Sequence, residues 1–517
     1  MGVSRRKFIG GALGASVVAP ALGGCSTESI RSTSISHFSH GVASGDPLQD
    51  RVIIWTRVTT EETSVEVSWE LAKDEGFEQL MASGTMLTNA SRDYTVKVDV
   101  TGLQSGSSYY YRFFCNNRSS AVGRTRTLPD GKPEKFVMAA VSCSNFPAGY
   151  FNVYYHLANR DDVDVVLHLG DYIYEYANGE YGDGAPLGRV PKPNKECIVL
   201  DDYRQRYACY REDQDLQAVH ARHPFILVWD DHEFANNAWI KGAENHSESE
   251  GSWENRRAVA TKAYFEWMPI RDSVSDRQQR IYRSFHAGDL FDLIMLDTRV
   301  IGRDEQIDKA HKDDLTSAER SLLGTQQEYW LAGELSASKQ HQTLWRVFGQ
   351  QMVIAPVVGS DGEVINTDAW DGYPAARQRF LKQLKDEKIT NNVVLTGDVH
   401  SSWANDVAEN PFDPNSYNPE TGEGALAVEF VTPAVSSPSP ISPQEKAEQT
   451  ARDLVASHPH IKYVDLFQRG YMVLDINRSS VTNSWYHLDT VLSRPGKEYL
   501  SKQYRVALNK PGLSKVE

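Results

Sequence analysis

An aspartate and a tyrosine three positions apart stand where an apolar, β-rich stretch of this sequence ends. The apolar run 163–169 breaks at Gly170, and Asp171 and Tyr174 follow it. In an open α/β sheet such residues lie at the carboxyl edge of a strand, where ligands and metals bind. A carboxylate can bridge two cations, and a phenolate is a strong ligand for ferric iron. The pair therefore indicates a metallohydrolase.

Three further polar clusters follow apolar, strand-like runs. Cys143 follows the run 135–142, Asp398 and His400 follow 392–395, and the sequence DDHE at 230–233 follows 225–229. A cysteine at a strand exit is, on its own, typical of core packing. Buried aspartates and histidines, however, need a partner or a cation. Together the four clusters predict one polar site at which several strands converge.

The segments between these clusters predict a layered α/β domain. Buried strands are expected at 135–142, 163–169, 225–229, 290–296, 344–348, 392–395 and 427–431, with helices at 153–159, 317–336 and 375–385. Such alternation places function at the strand ends. We assign this domain to residues 134–493, with an irregular surface loop at 436–443 and a C-terminal tail or lid at 494–517.

A second, smaller domain is predicted before it. Stretches with period-two hydrophobicity occur at 51–57, 65–70, 94–100 and 109–114, separated by turn residues. Strands at this spacing predict a β-sandwich of the immunoglobulin or fibronectin kind over residues 38–128. Few of its residues could do chemistry, which favours a role as a spacer or partner surface. A chain of 517 residues agrees with two domains.

The N-terminal 25 residues predict export. Residues 4–10 read SRRKFIG, a twin-arginine pattern, and a Gly/Ala-rich apolar run follows. The segment 1–25 ends in LGGC, which resembles a lipoprotein box with Cys25 as the lipidated residue; cleavage near Ala19, leaving Cys25 a free thiol, is the alternative. Residues 26–37 are rich in Ser and Thr and predict a flexible tether. We expect the twin-arginine export machinery as a partner, and a location in the periplasm or at the cell surface.

The charge and the cysteine content exclude other classes of protein. A formal net charge of -15 argues against binding to nucleic acid backbones. It leaves a phosphate-bearing substrate open, because bound cations reverse the local field. Five cysteines are too few for a disulfide scaffold. A single pair between Cys197 and Cys209 stays open.

With these motifs in view, the chain resembles the alkaline phosphatase D family, whose metal centre is similar to that of purple acid phosphatases among the metallophosphoesterases. The resemblance covers nearly the whole mature chain. It rests on the four clusters and on HGVASGDP at 40–47, YRQRY at 203–207, LDTR at 296–299, FGQQ at 348–351, FVTP at 430–433 and RGY at 469–471. It implies a phosphomonoesterase or phosphodiesterase that uses ferric iron with calcium.

The residue types support that implication. Thiolate, phenolate and imidazole ligands suit iron, whereas carboxylate and amide oxygens suit calcium. We therefore assign iron to Cys143, Asp171, Tyr174 and His400, and calcium to Asp171, Asp231, Asn236 and Asp398. Asp171 is the natural bridge between the two. Related phosphoesterases have Asn-His where this chain has Asp231 and His232, so the choice among Asp230, Asp231, Asn236 and Asn237 stays open.

His232 is the candidate catalytic residue. It could hydrogen-bond the phosphate or protonate the leaving oxygen after attack by a metal-activated water; a role in orienting a ligand is the alternative. Arg204, Arg206 and Arg299 could reach phosphate, but structural ion pairs explain them equally well. Two other functions stay open: hydrolysis of lipid or cell-wall phosphodiesters, and a surface lipoprotein that binds a partner and keeps a vestigial metal site.

Overall fold

Three β-sheets organise residues 37–272, 280–307 and 312–516, the part of the chain that the computed structural model describes. The predicted signal and residues 26–36 of the predicted tether lie outside these residues. The strands are β1 Val42–Gly45, β2 Arg51–Arg57, β3 Ser64–Ala72, β4 Leu80–Asn89, β5 Thr95–Thr101, β6 Ser108–Cys115, β7 Arg118–Ser119, β8 Gly123–Arg126, β9 Lys135–Val141, β10 Val165–His168, β11 Pro224–Leu227, β12 Arg283–Ala287, β13 Phe291–Met295, β14 Trp345–Gln350, β15 Asn392–Thr396, β16 Ser402–Ala408, β17 Ala425–Val431, β18 Ile461–Asp465, β19 Gly470–Asn477, β20 Ser480–Leu488, β21 Glu498–Ala507 and β22 Leu513–Lys515.

The α-helices of the described residues alternate with the strands after residue 134. They are α1 Asn152–Ala158, α2 Leu200–Arg211, α3 Gln214–Arg222, α4 Trp253–Trp267, α5 Lys312–Leu315, α6 Gly324–Gln340, α7 Pro374–Asp386 and α8 Gln444–Ser457. None of the described helices is both long enough and apolar enough to cross a membrane.

The centre of the largest sheet is parallel. The ten strands follow the order β22-β21-β20-β19-β9-β10-β11-β1-β2-β5. β9, β10 and β11 run in the same direction, so their carboxyl ends meet at one edge. Every residue of β10 and β11 is buried, as expected for strands that are covered on both faces.

A second sheet of seven strands faces this one. Its order is β12-β13-β14-β15-β17-β16-β18, and β13, β14, β15 and β17 are parallel. One buried hydrophobic cluster contains Leu167 of β10 and Leu395 of β15, which joins the two sheets. A separate cluster packs Leu335 of α6 and Phe380 of α7 against Phe348 of β14. The predicted mixed α/β fold is confirmed.

The N-terminal strands divide between two sheets. β4, β3, β6 and β7 form the third sheet, with β8 paired to β6. β1, β2 and β5 instead extend the largest sheet, because β1 pairs in parallel with β11, Ser44 opposite Pro224. Ile54 of β2 and Val67 of β3 share a buried cluster. The sequence pattern predicted a β-sandwich domain over 38–128, and it could not reveal this shared sheet.

The C-terminal residues are part of the fold. We expected a tail or lid at 494–517, but β21 pairs with β20 from Glu498 to Ala507 and β22 pairs with β21. Tyr504 and Val506 of β21 belong to the main hydrophobic cluster. This part of the prediction is wrong because alternate side chains of β21 fill the edge of the core. The helix predicted at 317–336 also differs, since α6 begins at Gly324.

Candidate metal centre

The four clusters predicted from the sequence converge at the carboxyl ends of β9, β10, β11 and β15. Their ligand-type atoms form three groups, each within 4.8 Å, and the groups overlap: Cys143, Asp171 and His400; Asp171, Asp231 and His232; Asp230, Asp231 and Asp398. All of these residues are buried or nearly so. Asp171 belongs to two groups and Asp231 to two, so the three sets form one continuous row of candidate ligands.

Tight turns aim these side chains at one another. Cys143, Asp171, Asp398 and His400 all have left-handed backbone, with φ of 62°, 56°, 64° and 53°. Such conformations are costly for residues with a Cβ and gather at functional sites. Gly170 lets two turns meet, because a Cβ there would lie 2.4 Å from the Cβ of Asp230.

The first group combines sulfur, phenol, imidazole and carboxylate. Asp171 Oδ2 lies 3.5 Å from Cys143 Sγ, and it accepts a hydrogen bond of 3.0 Å from the Tyr174 hydroxyl. That hydroxyl lies 3.1 Å from His400 Nε2. Burial and the charge of Asp171 raise the pKa of both the Cys143 thiol and the Tyr174 phenol. A bound cation would reverse this effect and favour the thiolate and phenolate.

Ser437 also contacts this group, although the sequence assigned it to a surface loop. Its side chain is buried, and its Oγ lies 2.7 Å from the Tyr174 hydroxyl oxygen. The loop 436–443 is irregular as expected, but its start lies against Cys143, whose carbonyl oxygen accepts from Ser437 Oγ at 2.9 Å. The surface assignment holds for residues 438–443 and is wrong for Ser436 and Ser437, because a Ser/Pro-rich composition says nothing about what the loop covers.

The third group surrounds Arg299. Its guanidinium pairs with Asp230 through Nε, and Nη2 lies 2.9 Å from Asp398 Oδ1 and 3.6 Å from Asp231 Oδ1. Burial raises the pKa of Asp398 to about 7. Burial would also raise the pKa of Asp231, but the charges of Arg299 and His232 outweigh it and lower that pKa. The sequence did not decide between a phosphate contact and a structural ion pair for Arg299. The structure places its guanidinium inside the candidate site.

Two oxygens of this group remain without a hydrogen-bond partner among the described residues. They are Asp230 Oδ2 and Asp231 Oδ1, and both are buried. Leaving such atoms unpaired costs free energy, which a cation bound between them would recover. Carboxylate oxygens gathered in this way fit a hard cation such as calcium. Of the residues that the sequence assigned to calcium, Asp231 and Asp398 belong to this group, and their carboxylate oxygens fit that cation.

His232 has a carboxylate partner that the sequence analysis missed. Glu175 is buried, and its Oε2 lies 2.8 Å from His232 Nδ1, while its Oε1 accepts from the Asn236 N–H at 2.8 Å. Burial alone would lower the pKa of His232, but the charges of Asp231, Glu175 and Asp171 raise it. In the sequence, the indication that Glu175 belongs to the site is that it directly follows Tyr174.

Asn236 is the predicted ligand with the weakest link to the site. Its side-chain Nδ2 donates to Glu244 Oε2 at 3.1 Å. The next residue is closer to the cluster, since the Asn237 N–H donates to Asp231 Oδ2 at 2.6 Å. Ligation by Asn236 stays a prediction. The cysteine pairing left open above is not formed, because Cys197 and Cys209 are free thiols.

Models of known protein families match two long segments of this chain. The family model described as PhoD-like phosphatase matches residues 137–485, and the model of the N-terminal domain of the same family matches residues 24–129. The chain belongs to the PhoD-like phosphatase family. The resemblance inferred from the sequence motifs is thereby confirmed.

The PhoD-like phosphatase has a full-length curated relative and a solved structural relative. Alkaline phosphatase D of Bacillus subtilis (strain 168) is 36% identical over 542 aligned positions, which cover 99% of this chain and 89% of the relative. A solved structure of PhoD has a TM-score of 0.83 and 33% identity, and covers 93% of this chain and 92% of that chain. This PhoD-like phosphatase is a phosphoric ester hydrolase, as predicted.

Proposed function

We propose that this PhoD-like phosphatase releases phosphate from organic mono- or diesters at a centre of ferric iron and calcium, outside the cytoplasmic membrane. The observation that carries the proposal is the continuous row of three ligand groups that share Asp171 and Asp231. A row of this kind suits two neighbouring cations that hold one phosphate group between them.

The two ends of the row differ in chemistry. Cys143, Tyr174 and His400 would hold iron together with Asp171, because sulfur, phenolate and imidazole suit that metal. Asp171, Asp231, Asn236 and Asp398 would hold calcium, with Asp230 as the alternative ligand beside Arg299. When bound, the cations supply the positive charge that activates a water molecule and offsets charge on the phosphoryl oxygens.

His232 would protonate the leaving oxygen of the ester. Its Nδ1 is engaged by Glu175, which leaves Nε2 as the nitrogen available to a substrate. The Glu175 carboxylate, 2.8 Å from Nδ1 and not among the proposed cation ligands, favours the proton-carrying form of the ring. Because His232 also shares a ligand group with Asp171 and Asp231, ligation of a cation is its alternative role.

Export is supported by the sequence. The twin-arginine pattern at 4–10 and the LGGC sequence ending at Cys25 suit a protein that folds before transport and is then anchored or released. We expect the double variant R5K/R6K to accumulate in the cytoplasm. Cell fractionation measures this, and unchanged export would refute the proposed route.

Calcium removal tests the proposed function. We expect a calcium chelator to abolish phosphate release by the purified enzyme, and added calcium to restore it. Asp398→Asn should raise the calcium concentration needed for half-maximal activity, because a partly buried carboxylate of the third group is lost. Asp413→Asn, in an exposed loop, is the matched control and should leave that calcium concentration unchanged. Full activity in calcium-free enzyme would contradict the proposal.

A further inference from the structure

Two tyrosine rings stand beside the candidate metal centre but have no place in its ligand set. Tyr176 and Tyr181 lie on the loop after Tyr174, and both are partly exposed. The Tyr181 ring lies 6.1 Å from the His232 ring, with the planes 14° apart, and 6.2 Å from the His400 ring at 29°. The Tyr176 ring lies 5.8 Å from that of Tyr181 and 5.5 Å from that of His232. We call Tyr176 and Tyr181 the aromatic wall.

The loop holds the aromatic wall in a fixed position. Asn145 Nδ2, two residues after Cys143, donates a hydrogen bond of 2.7 Å to the Tyr181 carbonyl oxygen. The loop is closed by a hydrogen bond of 2.9 Å from the Gly179 N–H to the Gly182 carbonyl oxygen. Gly182 has a φ of 108°, which a residue with a side chain would rarely adopt. Tyr181 is therefore tied to the same strand end that carries Cys143.

The contact between the Tyr181 hydroxyl and His400 does not account for the position of the Tyr181 ring. It lies 3.2 Å from His400 Nδ1, but the Pro438 carbonyl oxygen lies 3.1 Å from the same nitrogen. A carbonyl can only accept, so Nδ1 carries the hydrogen in that contact and His400 Nε2 is left to face Tyr174. The carbonyl already sets the tautomer of His400. The faces of the two rings, which are partly exposed and pack beside Cys143 and Tyr174, take no part in this contact.

We propose that Tyr176 and Tyr181 receive the leaving group of the ester, and that the preferred substrates are aryl esters. This inference rests on the proposed function, in which His232 protonates the leaving oxygen. Because both rings border the imidazole of His232, an alcohol formed there emerges against the wall. A planar ring bonded to the ester oxygen can stack on these faces or meet them edge-on.

Two phosphonate inhibitors test the proposal. Phenylphosphonate and cyclohexylphosphonate carry the same anionic group and a six-membered ring, but only phenyl is planar and aromatic. We expect the complete metal-loaded enzyme to bind phenylphosphonate about tenfold more tightly, a factor typical of one aromatic stacking contact. The ratio of inhibition constants should fall towards one in Tyr181→Leu and in Tyr176→Leu. It should persist in Tyr181→Phe, which keeps the ring, and in the control Tyr329→Leu, on the exposed side of α6.

The outcomes separate this inference from the function on which it rests. Equal affinity for the two phosphonates in the wild-type enzyme would overturn it, as would an unchanged ratio in both leucine variants. Loss of the ratio in Tyr181→Phe would also overturn it, because the hydroxyl would then be responsible. Calorimetric binding of the same phosphonates gives the ratio for any variant too slow for kinetics. A wild-type enzyme that releases phosphate without metal dependence would instead refute the proposed function.

Discussion

At the scale of single residues, Arg299 determines the charge of the acidic end of the site. The guanidinium is fully buried and contacts Asp230 and Asp398 on one side and Asp368 on the other, the last at 2.8 Å. Arg303 also pairs with Asp368, so two guanidinium charges face four carboxylates, those of Asp230, Asp231, Asp368 and Asp398. The remaining negative charge is what a bound divalent cation would offset.

Replacing Arg299 by methionine should destabilise the protein strongly. Several buried carboxylates would lose their partner, and breaking a buried ion pair in this way typically costs 3–5 kcal/mol. Arg51→Met is the matched control, because Arg51 pairs with Asp50 at the surface, where such a pair contributes less than about 1 kcal/mol. Urea unfolding measures both variants. Equal losses in the two would show that the carboxylates around Arg299 do not depend on it.

The sequence revealed the ligand candidates but not the residues that support them. Cys143, Asp171 and Asp398 could be found because each follows a buried strand within a few positions. Arg299 also follows a buried strand, but its role and that of Ser437 depend on what lies across the fold from them. An arginine or a serine in a loop has the same local pattern whether it reaches a metal site or water.

At the scale of secondary-structure elements, one glutamate ties two of the strand-end turns together. Glu233 is buried, and its Oε2 accepts hydrogen bonds from the Asp171 N–H at 3.0 Å and from the Asp230 N–H at 2.7 Å. The turns after β10 and β11 are thereby held at a fixed separation. Burial raises the pKa of Glu233 to about 8.

The short turn Trp370–Gly372 before α7 should give the protein a pH-dependent stability. Burial raises the pKa of Asp371 there to about 7, from an ordinary value of 3.8. Between these values the folded chain keeps a proton that the unfolded chain has lost, so the free energy of unfolding falls as the pH rises. Asp371→Asn removes this dependence. Its stability advantage over the wild type should grow by up to about 1.4 kcal/mol per pH unit in this window and then level off. Urea unfolding at several pH values checks this; a difference independent of pH would contradict it.

Strand β21 should behave as part of the core and not as a lid. Val506 is buried and Leu500 is half exposed on the same strand. We expect Val506→Ala to cost about 2 kcal/mol of unfolding free energy, because a buried cavity remains. Leu500→Ala, a larger truncation, should cost less than about 1 kcal/mol because the side chain stays in contact with water. A movable lid would give small losses at both positions, together with a change in activity.

Strands and helices were predictable where the sequence was apolar and regular. The predicted strand at 51–57 coincides with β2, and the predicted helix at 375–385 lies within α7. β20 was not predicted although it is mostly buried, since its core-facing residues include Asn483, Ser484 and His487. Val481 and Trp485 are also buried, but Asn483 and His487 alternate with them on the same face, so the hydrophobic period is interrupted.

At the scale of the whole molecule, the N-terminal and catalytic segments are joined by a continuous sheet. The pairing of β1 with β11 places Ser44 next to the strand that leads to Asp230 and Asp231. Lys97 of β5 adds a side-chain link, because its Nζ lies 2.8 Å from Asp272 after α4. Sequence periodicity identifies strands one at a time, so the pairing of distant strands could not be derived from it.

We propose that distant strand ends together hold iron, with Tyr174 as one of its ligands. The visible absorption spectrum of the purified enzyme tests it most directly. We predict a broad band from charge transfer between the Tyr174 phenolate and ferric iron, absent in Tyr174→Phe and retained in the control Tyr181→Phe. A colourless, fully active wild-type enzyme, or a band that survives Tyr174→Phe, would contradict the claim.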